Sequence, residues 1–426
     1  MEEIWELLTK PTLIIIYIAA IFLIMLLIVI SVMINEHRFN NVTKRLKEDA
    51  EREEREKAAK EEEQSAETPS RFDMLKAYDS ANDRPEPVFE ENVTLRSLCE
   101  EFRVFAANKL GLYYEISDIR KFIAGLAVSR ILILQGMSGT GKTSLAYAFG
   151  EFLNNPSTII PVQPMWKERT DLIGYYNEFT KRFNETLLLQ KMYEANDREE
   201  MYITVLDELN IARVEYYFAE FLSLLEIPNP ESRYLDVVSD SWENDPVGLK
   251  NGRIKLPENM WFIGTANNDD STFTISDKVY DRAMVLNLNR KSEPFQASGG
   301  RTVSISAKKF TSLVEKATAQ YELSEEILTR LAKLDAYLIK KFQITFGNRI
   351  MKQIRSYLPI YMACGGEEID ALDDILMKKV LRKLETQNSA YVRSEAEELC
   401  DFIAEVFGED GMPSCIEYVR KLAKNM

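Results

Sequence analysis

The sequence predicts an α/β fold: a parallel five-stranded sheet with helices on both faces, followed by a helical C-terminal lid and preceded by one long apolar helix. Three observations predict it. Between residues 93 and 304, apolar runs of strand length alternate with helical patterns. The first of those runs leads through a glycine-rich turn ending in Lys-Thr into an apolar helix. Near the start of the chain, Thr12 to Ile34 is an apolar run without a charged side chain.

That run comes first. A bilayer core of roughly 30 Å needs about 20 apolar residues as a helix, and soluble helices ordinarily keep a polar face. Residues 12–34 are therefore expected to span a membrane. Lys10 stands before the run with Glu2, Glu3 and Glu6, whereas Arg38, Lys44, Arg45 and Lys47 follow it. The positive-inside rule then places residues 1–11 outside the cell membrane and the rest of the chain in the cytoplasm.

Residues 35–67 are dense in charge, with opposite signs at i,i+4 in Lys44/Glu48, Lys47/Glu51 and Glu53/Lys57. Such pairs support a solvated stalk helix, on the order of 40 Å long at 1.5 Å per residue; a disordered spacer is the other reading. Residues 68–92, with proline, serine and acids, read as a flexible linker.

From Val93 the pattern is globular. Helices are expected over Leu95–Leu110 and Ile116–Ala127, and strands over Ile131–Gln135, Thr158–Gln163, Tyr202–Leu206, Met260–Thr265 and Ala283–Asn289. Residues 93–304 form the sheet-bearing domain and 305–426 the helical lid. In the segment after the third strand, Val214, Tyr217, Phe218, Phe221, Leu222 and Leu225 fall on one helical face and read as core.

Composition excludes several functions. The chain of 426 residues carries a net charge of −15, which argues against bulk electrostatic binding to DNA or anionic lipid. Cys99, Cys364, Cys400 and Cys415 have no zinc-ligand spacing and read as ordinary thiols. The only histidine is His37, just past the apolar run, so no histidine base or histidine metal site belongs to the folded domain.

The chemistry begins at Gly136-Met-Ser138-Gly139-Thr140-Gly141-Lys142-Thr143-Ser144. In this strand–loop–helix setting, backbone N–H groups wrap phosphate oxygens and the helix N-terminus adds partial positive charge. Lys142 is expected at the β- and γ-phosphates, and Thr143 on Mg2+. Downstream, an apolar strand ends in Asp207-Glu208; Asp207 is expected to hold the Mg2+ through water and Glu208 to polarise the attacking water. Asn267 ends a further strand, expected between these two, and fits a sensor beside the γ-phosphate. Arg282 stands before the last strand, where in a ring it would face a neighbour's nucleotide as an arginine finger.

With these residues in place, the chain resembles AAA+ ATPases, and within them the McrB-like branch near the MoxR and dynein-related groups. The resemblance rests on Val162 to Phe183, Leu206 to Glu226, Phe262 to Ala283 and Phe346 to Leu358, and covers residues 93–383. It implies an ATP-hydrolysing homo-oligomeric ring, a hexamer, with GTP not excluded. It implies Arg349 as the lid arginine that reaches the γ-phosphate, with Arg355 as the alternative. It also implies that the segment around Tyr175 and Tyr176 is a hairpin facing the ring pore. Function by resemblance is defence against foreign DNA with a separately encoded McrC-like nuclease, or remodelling of the MoxR kind. A nucleotide-gated membrane scaffold with little turnover is a third reading. Where the family's known member has a DNA-reading domain, this chain has the apolar run and stalk, so the resemblance does not imply direct DNA binding.

Overall fold

The computed structural model describes residues 22, 23, 25, 26, 30, 33, 70–81, 85, 87–267 and 272–425. The chain divides into two units, Met1–Pro69 and Ser70–Met426. In the first, Phe22, Leu23, Met25, Leu26, Ile30 and Met33 are helical and exposed. The rest of the expected membrane helix and the whole of the expected stalk lie outside the described residues. Among the described residues, no helix is long and apolar enough to cross a membrane.

The second unit opens with α1 (Met74–Ser80), α2 (Leu95–Leu110) and α3 (Ile116–Val128). Next come β1 (Ile131–Gly136), α4 (Lys142–Phe152), β2 (Thr158–Pro161), α5 (Thr170–Ile173), β3 (Gly174–Asn177), β4 (Arg182–Glu185) and α6 (Leu187–Ala195). Then follow β5 (Tyr202–Asp207), α7 (Val214–Tyr217), α8 (Ala219–Leu224), β6 (Tyr234–Asp236), β7 (Arg253–Lys255) and β8 (Met260–Asn267). Short α9 (Asp277–Tyr280) leads into β9 (Met284–Asn287). The C-terminal helices are α10 (Ala307–Gln320), α11 (Glu325–Phe342), α12 (Gly347–Ala363), α13 (Glu368–Lys379), α14 (Ser389–Phe407) and α15 (Pro413–Asn425).

The main sheet has the order β2-β5-β8-β1-β9, and every pairing in it is parallel. This is the α/β P-loop architecture expected, with β8 between the two strands that carry Lys142's loop and Asp207. Alternation along the strands divides the core. Leu132, Leu134, Val205 and Ile263 face α2, α3 and α4, whereas Ile133, Leu206 and Phe262 face the aromatic side of α7 and α8. The first of these cores continues into the C-terminal helices through Ile354, Leu358 and Tyr361 of α12. The lid is thus packed on the sheet domain rather than tethered beside it.

Two expectations need correction. The stripe is buried as expected from Val214 to Leu222, with Leu225 half-buried against it, but its helix breaks at Phe218, whose φ of −106° and ψ of 5° leave the helical region. Phe218 and Phe221 still stack, at 4.9 Å, and both meet Phe262 edge-on; packing on β8 outweighs helix continuity.

The flexible linker expected over residues 68–92 is folded across 70–81. Arg71 is only 2% exposed. Its guanidinium donates to both oxygens of Asp245, to the Asp240 carboxylate and to the Asp240 carbonyl, and it lies 4.3 Å from the Trp242 ring centroid. The N-terminus of α1 is closed by Glu185, whose carboxylate accepts from the N–H groups of Asp73, Met74 and Leu75. Phe72 stacks on Phe183 of β4. Local composition signals flexibility, but these partners lie more than 100 residues away in sequence.

Candidate functional site

The phosphate loop leaves β1 at Gly136, where φ is +152° and a Cβ would come within 2.2 Å of the Leu288 carbonyl oxygen. Only glycine fits there. Gly141, at φ +89°, is the N-cap of α4, and no side chain caps that helix. Its first N–H groups are therefore left to a ligand, with the positive end of the helix dipole behind them. Ser138 and Gly139 are exposed on the loop, and Ser144 is half-buried on the first turn of α4. The Thr140 hydroxyl donates to the Met137 carbonyl at 2.9 Å and tightens the loop instead of pointing outward.

Lys142 is buried, and its ammonium donates to the carbonyls of Gly136 and Met137 at 3.0 and 2.8 Å. These bonds hold the charge inside the loop it would share with a phosphate. Above the loop, Tyr114 donates to the Gly141 carbonyl at 3.1 Å, and burial pushes its phenol well above its ordinary pKa. Tyr114 was not singled out by the sequence; nothing local distinguishes it from a core tyrosine.

Asp207 ends β5 beside the loop. Its Oδ1 accepts from the Thr143 hydroxyl at 2.7 Å and from the Thr265 hydroxyl at 2.8 Å. A hydroxyl and a carboxylate in contact at the mouth of a phosphate loop form the hard-oxygen pair that Mg2+ takes from proteins, the remaining ligands being phosphate and water. Among the described residues, no cluster of three or more His, Cys, Asp or Glu side chains gathers to hold a metal on its own. Thr143 and Asp207 thus fit a Mg2+ whose other ligands are phosphate and water.

Glu208 is exposed, with φ 54° and ψ 46°. The left-handed region is uncommon for a residue with a Cβ and is often kept where function uses the resulting direction. The Glu208 N–H is held by the Thr265 hydroxyl at 2.8 Å. Thr265 therefore fixes both acids, receiving from one backbone and donating to the other side chain. The sequence carried a usable signal: Thr265 is a polar residue in an apolar strand, two residues before Asn267.

Asn267 stands at the carboxyl end of β8, opposite Gly136 in the register. Its carbonyl accepts from the Asn210 amide at 2.9 Å. Glu208, Asn267, Lys142, Thr143 and Asp207 are thus all brought to the carboxyl edge of the sheet, where open α/β sheets bind ligands.

The two arginines are not. The Ser129 hydroxyl donates to the Arg282 carbonyl at 2.9 Å, and Met284 pairs with Leu132. Arg282 therefore lies at the amino end of β1, about 20 Å from the phosphate loop at the other end, given roughly 3.3 Å per residue. Arg349 lies with it: Arg282 donates to Glu226 Oε2 at 2.7 Å, and Arg349 pairs with Oε1 of the same carboxylate. The expectation that Arg349 reaches the γ-phosphate from the lid does not hold for its own chain's loop. Helix α12 docks at α9 instead, where Gln353 donates to the Asp281 carbonyl at 3.1 Å. Arg355 is exposed further along α12.

The expected hairpin is present as β3–β4. Tyr175 is half-exposed on it, and Tyr176 packs edge-on against Trp242. Among the described residues, the most exposed aromatic is Phe179 in the turn, at 99%.

Residues 131–283 match the AAA domain of the dynein-related subfamily. Residues 300–426 match a domain of unknown function (DUF8727). The type IV methyl-directed restriction enzyme EcoKMcrB subunit of Escherichia coli (strain K12) is 25% identical over 205 residues, 43% of this chain and 43% of that protein. This chain thus spans less than half the length of that curated relative. Among solved structures, a provisionally named ATPase of Cytophaga hutchinsonii ATCC 33406 aligns over 77% of this chain and 92% of its own, with a TM-score of 0.46 and 13% identity. A full-length MCM homolog of Methanopyrus kandleri aligns over 76% of this chain and 63% of its own, with a TM-score of 0.37 and 12% identity. The match over 131–283 agrees with the P-loop core and covers β1, β2, β5 and β8 of the main sheet, ending just before β9.

Proposed function

We propose that this chain is a nucleoside triphosphatase that binds ATP with Mg2+ at the carboxyl edge of its sheet and hydrolyses it within an oligomeric ring of like chains. The observation that carries the reading is the convergence of Lys142, Thr143, Asp207, Glu208 and Asn267 at one edge, with Arg282 at the other. A site completed by a guanidinium from outside is a site between neighbouring copies. That the acid, the amide and the arginine are all present favours turnover over a nucleotide-gated scaffold.

In this reading Lys142 and the α4 N-terminus bind the phosphates, and Thr143 with Asp207 receives the metal. Bound Mg2+ supplies neutralisation of charge on the phosphate oxygens. Glu208 accepts the proton of the attacking water, whose position Asn267 fixes. Arg282 of a neighbour stabilises charge on the transferred phosphoryl group. The turnover is used to move the β3–β4 hairpin against a partner or polymer.

Residues 12–34 anchor the ring to the cell membrane with the folded unit in the cytoplasm, a reading supported by the apolar run and the flanking charges. Work alongside a separately encoded nuclease against foreign DNA is supported by the partial likeness to the restriction-enzyme subunit; remodelling of a protein partner is the alternative. Purified Glu208→Gln chain is expected to bind ATP and to lose hydrolysis by about a hundredfold or more. Undiminished turnover would remove Glu208 from the mechanism and with it the assignment of the site.

A further inference from the structure

The geometry points to Glu226 as a positioning residue: one carboxylate that holds Arg282 of the sheet domain and Arg349 of the lid together as a two-guanidinium clamp for the nucleotide of a second copy. The inference rests on the hydrolysis reading above and adds to it a residue and a division of labour.

Glu226 follows α8 and is about one-third exposed. Each of its oxygens serves a different arginine, Oε2 receiving Arg282 and Oε1 receiving Arg349. Arg282 is further fixed by donation to the Lys278 carbonyl at 2.8 Å, while its Nε–H is buried with no partner. Arg349 is about half exposed. Two cations against one carboxylate leave the trio with a net positive charge, and the exposed guanidinium faces outward from an edge about 20 Å from its own phosphate loop. A net positive, partly exposed trio suits an anion from a second copy, and the triphosphate of that copy is the anion that the proposed site chemistry supplies.

The lid and the sheet domain meet at the same place. Arg382 pairs with Asp277, and Lys379 donates to the carbonyls of Tyr280 and Ala283. Glu226 is the only carboxylate among the described residues that joins an arginine from each side. Without it, two like charges would be left to repel, and long side chains without a fixed partner lose the alignment that transition-state contact needs.

The test uses the full chain. Glu226→Gln keeps the side chain's size but turns one acceptor toward a guanidinium into a donor. It is expected to lower kcat at least about tenfold while ATP affinity stays within about twofold of the unaltered chain. Mixing then separates a role toward a neighbour from a role in folding. Glu226→Gln chains have intact sites and Glu208→Gln chains have intact clamps, so a mixture is expected to exceed the average of the two separate rates. Unchanged kcat in Glu226→Gln, a raised kcat, or a mixture that shows no gain would each overturn the proposal. If the unaltered chain itself had no turnover dependent on Lys142, the hydrolysis reading would fall and this inference with it; normal turnover with an indifferent Glu226→Gln would overturn this inference alone.

Discussion

The Thr143 hydroxyl and the Asp207 carboxylate meet at 2.7 Å, although 64 positions separate them in sequence. The contact joins the helix that follows the phosphate loop to the strand that carries the acids, and in the function proposed above these two groups receive the metal of the nucleotide. Thr265 completes it from β8, so two elements, α4 and β8, hold one carboxylate oxygen of β5.

Removing the Thr265 hydroxyl should therefore disturb chemistry more than binding. Thr265→Val keeps the shape but leaves the Glu208 N–H without its acceptor, at a cost of about 1–3 kcal/mol. Turnover is expected to fall with ATP affinity nearly retained, as steady-state kinetics beside equilibrium binding would show. Equal loss of both would mean that Thr265 only supports the fold.

A side chain at Gly136 should abolish the loop. The Cβ of Gly136→Ala would overlap the Leu288 carbonyl oxygen at 2.2 Å, so β9 or the loop must shift. The variant is expected to lose ATP binding and to unfold at lower urea than the unaltered chain; wild-type binding would show that the loop geometry differs from that described.

Arg71 should be as important to stability as a core residue. Arg71→Ala leaves Asp245, itself 8% exposed, as an unpaired buried charge. A loss of about 3–5 kcal/mol is expected, readable by denaturant unfolding, together with faster proteolytic cleavage near residues 70–81. A change below about 0.5 kcal/mol would return that segment to the status of a linker.

The lid contact should carry a pH signature. Burial brings Lys379 down from the ordinary lysine range to about 7. Between about pH 7 and that ordinary range, the unfolded chain holds a proton that the folded chain lacks, so stability should rise with pH across this window. Below pH 7 both forms are charged and the slope from Lys379 vanishes. The limit for one proton is about 1.4 kcal/mol per pH unit. Lys379→Met should flatten the rise in urea unfolding followed from pH 7 to 9; an unchanged slope would assign it to other groups.

Much of the site was legible because its signals are local. Lys142, Thr143, Asp207 and Glu208 each sit at the junction of an apolar run and a turn, and hydrophobic runs of four to eight residues bounded by such turns specify buried parallel strands. The place of β8 between β5 and β1 was expected from the sensor role that Asn267 fits beside a phosphate loop and its acidic strand. What escaped depends on distant partners. Nothing near Arg71 announces Asp240 and Asp245, and nothing near Arg349 announces Glu226. The break at Phe218 escaped for a similar reason, since a helical stripe records burial but not whether packing on Phe262 will bend it. The short β6–β7 hairpin left too little periodicity to be read.

The most direct test is equilibrium binding of radiolabelled ATP in the presence of Mg2+ to the unaltered chain and to Lys142→Ala. The account predicts that the substitution weakens binding at least about tenfold, because a buried ammonium is removed from the phosphate loop. Binding of equal strength in the two proteins would contradict it, since no phosphate would then lie against Lys142.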